Sequence, residues 1–343
     1  MKKILALVLA AAMLLPLMSA CTSEKAPQPD ATAEPVAKTA DQPADPAAAK
    51  TDTSWPEKTV TIIVPFGGGG DSDYNGRILA KYLEAELGVT FVVENIKGSG
   101  GTIGSTSVKD ADPDGYVVLQ NHNALMISQA SGISDFGLDA FELVGITAAN
   151  PGDVIAVSSQ TGITDLAGLI AASNENKMTV ATNIGATTQV SSFMLGEYAN
   201  VTQVDVGGIA DKVAALLGGQ VDIIIGPYGN IAPYVESGDM TILGVTAKER
   251  AELFPEIPTC IEQGYEIYFP TRFFYAFPKG TDQAIVDKFA AALEKIITTN
   301  EDYAKEIAEA YYQTPLWIPA DEAVAVYDEI SELISRYSLT SLG

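Results

Sequence analysis

Residues 64–73 have the sequence VPFGGGGDSD, in which four consecutive glycines directly follow a short apolar run at residues 60–64. A helical pattern begins near Tyr74 and continues to Leu87, with apolar side chains recurring every three or four residues. The stretch therefore predicts a strand, a glycine turn and a helix. Such a turn exposes main-chain N–H groups beside a helix N-terminus, where an anion is stabilised.

Short β-rich runs alternate with helical patterns along the rest of the chain, which predicts α/β layers with mainly parallel sheets. The further predicted strands are residues 91–94, 116–120, 153–157, 179–181, 203–206, 222–225 and 242–245. The predicted helices after the first are residues 164–173, 188–198, 210–217, 231–236, 281–298, 301–311 and 319–336, so the C-terminal part is expected to be mostly helical. No internal repeat is visible.

The first 54 residues are expected to lie outside the folded body. Residues 1–20 combine a basic start with a short apolar core, which is typical of a signal peptide. Residues 17–21, LMSAC, are similar to a lipobox and predict lipidation of Cys21; the alternative is an ordinary secretory signal with an incidental cysteine. Residues 21–54 lack aromatic side chains and are rich in Ala, Pro and Thr, which predicts a disordered linker.

Composition narrows the function classes. The formal net charge of −24 argues against nucleic acid, whose phosphates need Lys and Arg. After Cys21 only Cys260 remains, so no intrachain disulfide is expected, and one cysteine with one histidine, His122, does not predict a zinc site. The 289 residues from Trp55 onwards suffice for two domains and contain no apolar stretch of membrane-helix length.

Nucleotide binding and catalysis both fit the glycine-rich loops poorly. A dinucleotide fingerprint needs a third glycine where Asp73 or Ile103 stands, and neither loop has the Gly-Lys-Ser/Thr of a P-loop. No nucleophile elbow is present; His122 is expected to be a polar loop residue and Cys260 a packed one. Acid–base work by the carboxylates of Asp71, Asp73 and Glu94 would need a substrate between them. The favoured interpretation is that Asp73 caps the helix after Gly70 and that Glu94 bonds loop amides.

Anion capture by main-chain groups is the remaining hypothesis. In open parallel sheets, ligands bind beyond the carboxyl ends of the strands, and glycine-, serine- and threonine-rich loops follow several predicted strands here. Arg272 is the one cation noted near a possible domain crossing, with a surface ion pair as the favoured role. Loop amides rather than cationic side chains are expected to neutralise the bound acid.

Several motifs, taken in order, resemble the substrate-binding proteins of the tripartite tricarboxylate transporter system, the TctC or Bug family. They are residues 64–73, 94–104, 114–116, 217–222 and 254–259. The resemblance implies an α/β, type II periplasmic-binding-protein fold with a ligand cleft between two α/β domains. Domain 1 would comprise residues 55–152 and 272–343, and domain 2 residues 153–271.

The resemblance also implies the ligand-binding residues. In the family, the first two loops bind one carboxylate, and a loop of the second domain helps to select the ligand. The corresponding residues here are Phe66, Gly67, Gly68, Gly69, Gly70, Asp73, Gly98, Ser99, Gly100, Asn123, Thr182, Asn183, Ala186, Thr187, Thr188, Asp205 and Tyr228. The chain departs from the family at residues 205–208, DVGG, where Pro-Tyr-Lys-Gly is common, and at Phe273 or Phe274, where a tryptophan is common.

The function implied is that of an extracytoplasmic solute-binding lipoprotein, which is not an enzyme and needs no cofactor or metal. It would capture a small mono- or dicarboxylate and deliver it to TctA/TctB-like membrane subunits, as a monomer tethered to the membrane through Cys21. Two alternatives stay open here. One is a ligand-presenting accessory of a membrane sensor kinase, and the other is a hydrolase that uses His122 or Asp73.

Overall fold

A computed structural model describes residues 53–339. The predicted signal peptide, Cys21 and the predicted linker as far as residue 52 lie outside the described residues, as do residues 340–343. Within residues 53–339, no helix combines the length and apolar character needed to span a bilayer.

The described chain folds into alternating strands and helices. The strands are β1 (Val60–Val64), β2 (Phe91–Asn95), β3 (Val117–Asn121), β4 (Phe141–Asn150), β5 (Asp153–Ser158), β6 (Met178–Thr182), β7 (Val201–Asp205), β8 (Ile223–Pro227), β9 (Met240–Val245), β10 (Thr271–Pro278) and β11 (Thr314–Pro319). The helices are α1 (Asp71–Leu87), α2 (Thr102–Lys109), α3 (Ala124–Ala130), α4 (Leu166–Glu175), α5 (Thr187–Gly196), α6 (Ile209–Leu217), α7 (Tyr228–Glu236), α8 (Gln283–Thr299), α9 (Glu301–Tyr311) and α10 (Ala320–Ser335).

The strands form two sheets, each of which is the centre of one lobe. The first lobe has the order β11-β4-β10-β3-β1-β2, and the second has β7-β6-β8-β5-β9. Both share one pattern, in which three parallel strands are followed by a strand that runs antiparallel to them. The expectation of mainly parallel sheets is wrong, because β4, β5, β9, β10 and β11 all pair in antiparallel fashion.

The strand–turn–helix unit predicted from residues 60–87 is present. β1 pairs with β2 on one side and β3 on the other, which explains its nearly continuous apolar sequence. Helix α1 begins at Asp71, three residues before the predicted start, and Asp71 and Asp73 place negative charge in its first turn. Gly88 caps the C-terminus of α1: it has a left-handed conformation with φ 75° and donates its N–H to the Glu84 carbonyl.

Apolar side chains form three buried clusters. One lies in the first lobe between the sheet and helices α1, α8 and α9, around Trp55 and Phe289. Another lies in the second lobe beneath α6 and α7, around Ile224 and Phe254. The largest cluster contains residues of both sheets, Leu119 and Ile146 from the first lobe and Ile223 from the second, so one apolar core continues from lobe to lobe.

Two covalent crossings join the lobes at the site. Strand β4 passes into β5 through the two residues 151–152, and the segment 246–270 returns the chain from β9 to β10. Asn123, two residues after β3, makes two hydrogen bonds at the end of this second crossing. Its Nδ2 donates to the Pro270 carbonyl, and its Oδ1 accepts the Arg272 N–H at 3.1 Å. The loop after β2 meets the loop after β6 at Gly100 and Gly185, and the loop after β1 contacts the second lobe where Asn230 donates to the Gly69 carbonyl.

Candidate functional site

The side chain of Asp73 fixes the conformation of the first glycine loop, residues 67–70, by a hydrogen bond. Its carboxylate Oδ2 accepts the Gly69 N–H at 2.9 Å, and its Oδ1 lies 2.9 Å from the Arg77 guanidinium. Burial opposes ionisation, but the hydrogen bonds from Arg77 and Gly69 outweigh it and hold the pKa of Asp73 below its usual value. Gly67, Gly68 and Gly69 stay exposed, so their main chain is accessible.

The second glycine loop, Gly98 to Gly101, touches the other lobe. Ser128 Oγ, on α3, lies 3.0 Å from the Gly100 carbonyl oxygen and 3.1 Å from that of Gly185 in the second lobe. A Cβ on Gly100 would lie 2.9 Å from Gly185 Cα and 2.9 Å from the Ile184 carbonyl, and Gly100 has φ +61°. The two lobes therefore approach each other here backbone to backbone.

The second-lobe loop, residues 182–188, ends at the N-terminus of α5. Ala186 is the N-cap residue and contributes no capping side chain. The Thr188 hydroxyl accepts the Asn183 N–H at 3.3 Å and so closes the loop. Thr182 is fully buried, and its Oγ1 has no hydrogen-bond partner among the described residues.

A lysine that sequence reasoning missed lies beside this loop. Lys212 of α6 is only 3% exposed, and its Nζ donates to Thr188 Oγ1 at 2.8 Å. It forms no ion pair with any carboxylate in residues 53–339. Burial lowers the pKa of Lys212, while Asp153, Asp205 and Asp71 act in the opposite direction.

Two carboxylates face the same junction. Asp153, the first residue of β5, is 5% exposed and lies 3.5 Å (Oδ1) from Asn150 Nδ2. The Asn150 side chain also lies beside the Asp71 carboxylate, which accepts the Ser72 N–H at 2.8 Å. Burial, followed by the charge of Asp71, raises the pKa of Asp153 to about 7, and burial raises the pKa of Asp71.

Three residues of the predicted site are engaged in other contacts or lie on the surface. Asn123 is fully buried and its side chain is engaged with the crossing at Pro270 and Arg272. The Tyr228 ring stacks on Phe254 with centroids 4.3 Å apart and meets Tyr312 edge to face. Asp205 is exposed at the end of β7.

The residues considered for catalysis are engaged in packing. His122 is buried, stacks on Phe66 with centroids 4.7 Å apart, and accepts the Ala124 N–H through Nδ1 at 3.2 Å. Burial lowers the pKa of His122 to about 3, so the imidazole is neutral. Burial raises the pKa of the Cys260 thiol to about 12, which makes it a poor nucleophile.

Arg272, for which a surface ion pair was expected, donates to the Thr271 carbonyl rather than to a surface carboxylate.

A signal for Lys212 was present in the sequence. Ile209, Val213 and Leu216 form an apolar stripe on α6, and Lys212 occupies a position of the same stripe. A lysine on the apolar face of a helix is either at the edge of the core or within a polar site. Asp153 and Asn150 gave no comparable signal, since their proximity depends on the lobe crossing.

Taken together, the loops can hold an anion without a metal or an attacking group. The N-cap residues of α1, α2 and α5 contribute no capping side chain, so these helix N-termini can stabilise an anion, and Lys212 adds one buried positive charge. No group of three or more metal-binding side chains occurs within residues 53–339.

Sequence comparison identifies relatives over most of the chain. A protein of the UPF0065 group from Agrobacterium vitis is 29% identical over 259 residues, which cover 73% of this chain and 74% of that one. The protein BugT of Bordetella pertussis is 28% identical over 244 residues, which cover 68% and 74% of the two chains.

Structural comparison gives the same fold. The periplasmic binding protein BugD superposes with a TM-score of 0.73 at 28% identity, over 83% of this chain and 96% of that one. MatC from Rhodopseudomonas palustris, with bound malate, gives 0.72 at 24% identity, over 84% and 100% of the two chains. Another R. palustris protein, with adipate, gives 0.74 at 23% identity, over 82% and 95%.

The family model of the tripartite tricarboxylate transporter receptor, TctC, matches residues 76–317. The order of strands, the glycine loops at the lobe junction and this match agree with one another. The chain therefore belongs to the TctC family of tripartite tricarboxylate transporter receptors, with a periplasmic-binding-protein fold, and is an extracytoplasmic solute-binding protein rather than an enzyme.

Proposed function

We propose that this protein captures a small organic carboxylate between its lobes and delivers it to a TctA/TctB-like membrane transporter. The observation that carries the proposal is the meeting of three loops across the lobe junction. Ser128 lies within hydrogen-bond distance of both Gly100 and Gly185, and the first glycine loop lies against the start of α6, with Ile209 4.0 Å from the Cβ position of Gly70.

The expected affinity follows from the donors available. Hydrogen bonds to a charged group contribute about 1.5–3 kcal/mol each. Four or five of them, after the cost of association, reach the roughly 8 kcal/mol of micromolar binding. The net charge of −24 does not prevent this, because surface charges more than about 8 Å from the ligand are largely screened at physiological salt.

Ligand binding is expected to act by closing the two lobes over the ligand. A ligand that contacts both lobes favours the closed arrangement by its differential affinity for that state. The bound malate and adipate of the two R. palustris proteins support a carboxylate as the ligand class. The family's place in a tripartite transporter supports delivery to membrane subunits as the purpose of closure.

Calorimetric titration of residues 22–343, purified without refolding, against a panel of mono-, di- and aminocarboxylates tests the proposal. At least one member is expected to bind with micromolar affinity. Light scattering with and without that member is expected to report a monomer. A folded protein that binds no carboxylate of any kind would contradict the proposed function.

The location is proposed to be the outer face of the cell membrane, with Cys21 as the lipid-bearing residue and residues 22–54 as a tether. A lipid-anchored protein separates with membranes, whereas the Cys21→Ser variant of the full chain is expected to appear in the soluble extracytoplasmic fraction. Cys260→Ser is the matched control, since Cys260 is fully buried. Equal membrane association of the wild-type and Cys21→Ser chains would disprove the anchor.

A further inference from the structure

The polar groups at the lobe junction form a cluster of mixed charge. Asp71 comes from the start of α1 in the first lobe, Asp153 from the start of β5 in the second, and Lys212 from α6. The Asn150 amide lies beside both carboxylates, and Thr187 lies beside that of Asp153. Asn150 therefore links the two carboxylates, and neighbouring threonines at the N-terminus of α5 link Asp153 (Thr187) and Lys212 (Thr188).

The charges of this cluster do not balance. With both carboxylates ionised and Lys212 protonated, its formal charge is −1. Lys212 has no ion-pair partner among the described residues, and the only hydrogen bond of its Nζ there is to Thr188. Thr182, at the start of the same loop, is fully buried with an unpartnered hydroxyl. A buried Nζ with spare donors and an orphaned hydroxyl together indicate a place that a polar ligand completes.

An uncompensated buried carboxylate is costly, and its burial favours the protonated form. The pKa of Asp153 and that of Asp71 are both raised, chiefly by burial. The other titratable groups that act on this pair are Lys212, Asp205 near Lys212, and Tyr311 near Asp71. A cationic group of the ligand is able to replace that proton.

We propose that the ligand is an amino carboxylate, whose carboxylate binds the glycine loops and whose ammonium group lies between Asp71 and Asp153. This inference rests on the proposed function and specifies the ligand class of the same site. The ammonium group brings the positive charge that balances the cluster, and it can donate to both carboxylates at once. Lys212 then offsets the other acid and fixes Thr188.

A dicarboxylate fits the same cluster less well. Its second carboxylate adds a negative charge beside Asp71 and Asp153, and like charges in a site of low dielectric repel strongly. A dicarboxylate is therefore expected to bind at this cluster only when the cluster or the ligand takes up protons. The two ligand classes therefore differ in the sign of proton exchange: amino carboxylates release protons on binding, whereas dicarboxylates take them up.

Calorimetry on residues 22–343 separates these cases. The probes are α- and ω-amino monocarboxylates, each paired with the dicarboxylate of equal chain length. Titrations at pH 6.5 and 7.5 in buffers of different ionisation enthalpy count the protons exchanged. The best amino carboxylate is expected to bind at least about tenfold more tightly than its dicarboxylate partner, which is the value of one charge-assisted hydrogen bond, and to release protons.

Asp71→Asn and Asp153→Asn are the test variants. Each is expected to weaken the best amino carboxylate by about tenfold or more and to strengthen the matched dicarboxylate. Asp328→Asn, at an exposed position of α10, removes the same charge and is expected to change neither. Asp71 is more exposed than Asp153, so Asp71→Asn remains available for titration if Asp153→Asn lowers the melting temperature too far.

Two outcomes overturn the inference and leave the proposed function intact. One is that a dicarboxylate binds as tightly as, or more tightly than, every amino carboxylate. The other is that the two Asn variants weaken both ligand classes equally, as a purely structural role predicts. Absence of binding to these probes and to plain monocarboxylates would instead contradict the proposed function itself.

Discussion

His122 illustrates how burial fixes the state of a single residue. Its ring lies between Phe66 and Phe273, and burial lowers its pKa to about 3. The unfolded chain has the ordinary value of about 6.5. A group whose pKa is lowered by folding contributes stability that is present above the unfolded value and is lost as the pH falls towards the folded one.

The variant His122→Asn is therefore expected to be less sensitive to acid than the wild type. Below pH 6.5 the wild-type free energy of unfolding should carry an extra slope of up to about 1.4 kcal/mol per pH unit, which the variant lacks. Asn retains an acceptor for the Ala124 N–H. Urea unfolding at half-unit steps from pH 7.5 to 4 measures the difference, and parallel curves would contradict the assigned state of His122.

Individual glycines at the site also have different roles. The sequence predicted their role as open turns from composition alone, and at Gly67–Gly69 the main chain is indeed exposed. It did not predict which glycine contacts the other lobe, because the approach of Gly100 to Gly185 depends on how the lobes meet. Lys212 was missed although its place in the apolar stripe of α6 is visible in the sequence, because only the extent of that helix was predicted.

At the scale of elements, close packing between α2 and the β1–α1 connection positions the second glycine loop. Gly104 makes this possible: a Cβ there would lie 2.6 Å from the Ile96 carbonyl and 2.8 Å from Pro65 Cα. Both neighbours are backbone atoms, which cannot move aside as a flexible side chain does.

Gly104→Ala is accordingly expected to destabilise the protein by about 1–3 kcal/mol, the usual cost of overpacking. Helix propensity alone predicts a gain of up to about 1 kcal/mol. Gly196→Ala, at an exposed position of α5 where the nearest atom to the new Cβ is 3.7 Å away, tests that propensity term without a clash. Denaturant unfolding compares the two, and a stabilised Gly104→Ala protein would show that α2 shifts without cost.

Local sequence predicted most helices and the parallel strands to within a few residues, because their apolar periodicity is intrinsic to the segment. It did not predict β4, β10 and β11. These strands are antiparallel, and the partners of β10 lie more than a hundred residues earlier in the chain. β11 contains Pro315 and Pro319, which weaken a strand prediction, yet both are tolerated because β11 is an edge strand.

At the scale of the whole molecule, the two lobes meet where Gly100 approaches Gly185, and the proposed closure is expected to need this contact. The Gly100→Ala variant places a methyl group 2.9 Å from Gly185 Cα and 2.7 Å from Ser128 Oγ. We expect the lobes to close incompletely and the affinity for the ligand to fall by about tenfold or more, a loss of about 1.4 kcal/mol.

Gly132→Ala is the matched control for Gly100→Ala. Gly132 has a similar backbone conformation, φ +72° against +61°, but no atom within 4 Å of the new Cβ. It carries the same cost of a left-handed alanine without touching the other lobe. Small-angle scattering of the liganded proteins should give a larger radius of gyration for Gly100→Ala alone, and unchanged closure would show that the contact is not needed.

The apolar core that continues from lobe to lobe has a consequence for dissection of the molecule. Each half alone would present part of that core to water, at a cost of about 25 cal/mol per Å². Heating is therefore expected to produce one heat-capacity peak for the two lobes, and an excised fragment of residues 153–271 should aggregate. A single peak would show that the two lobes unfold together although each has its own sheet, whereas two peaks would show that the shared core does not couple them.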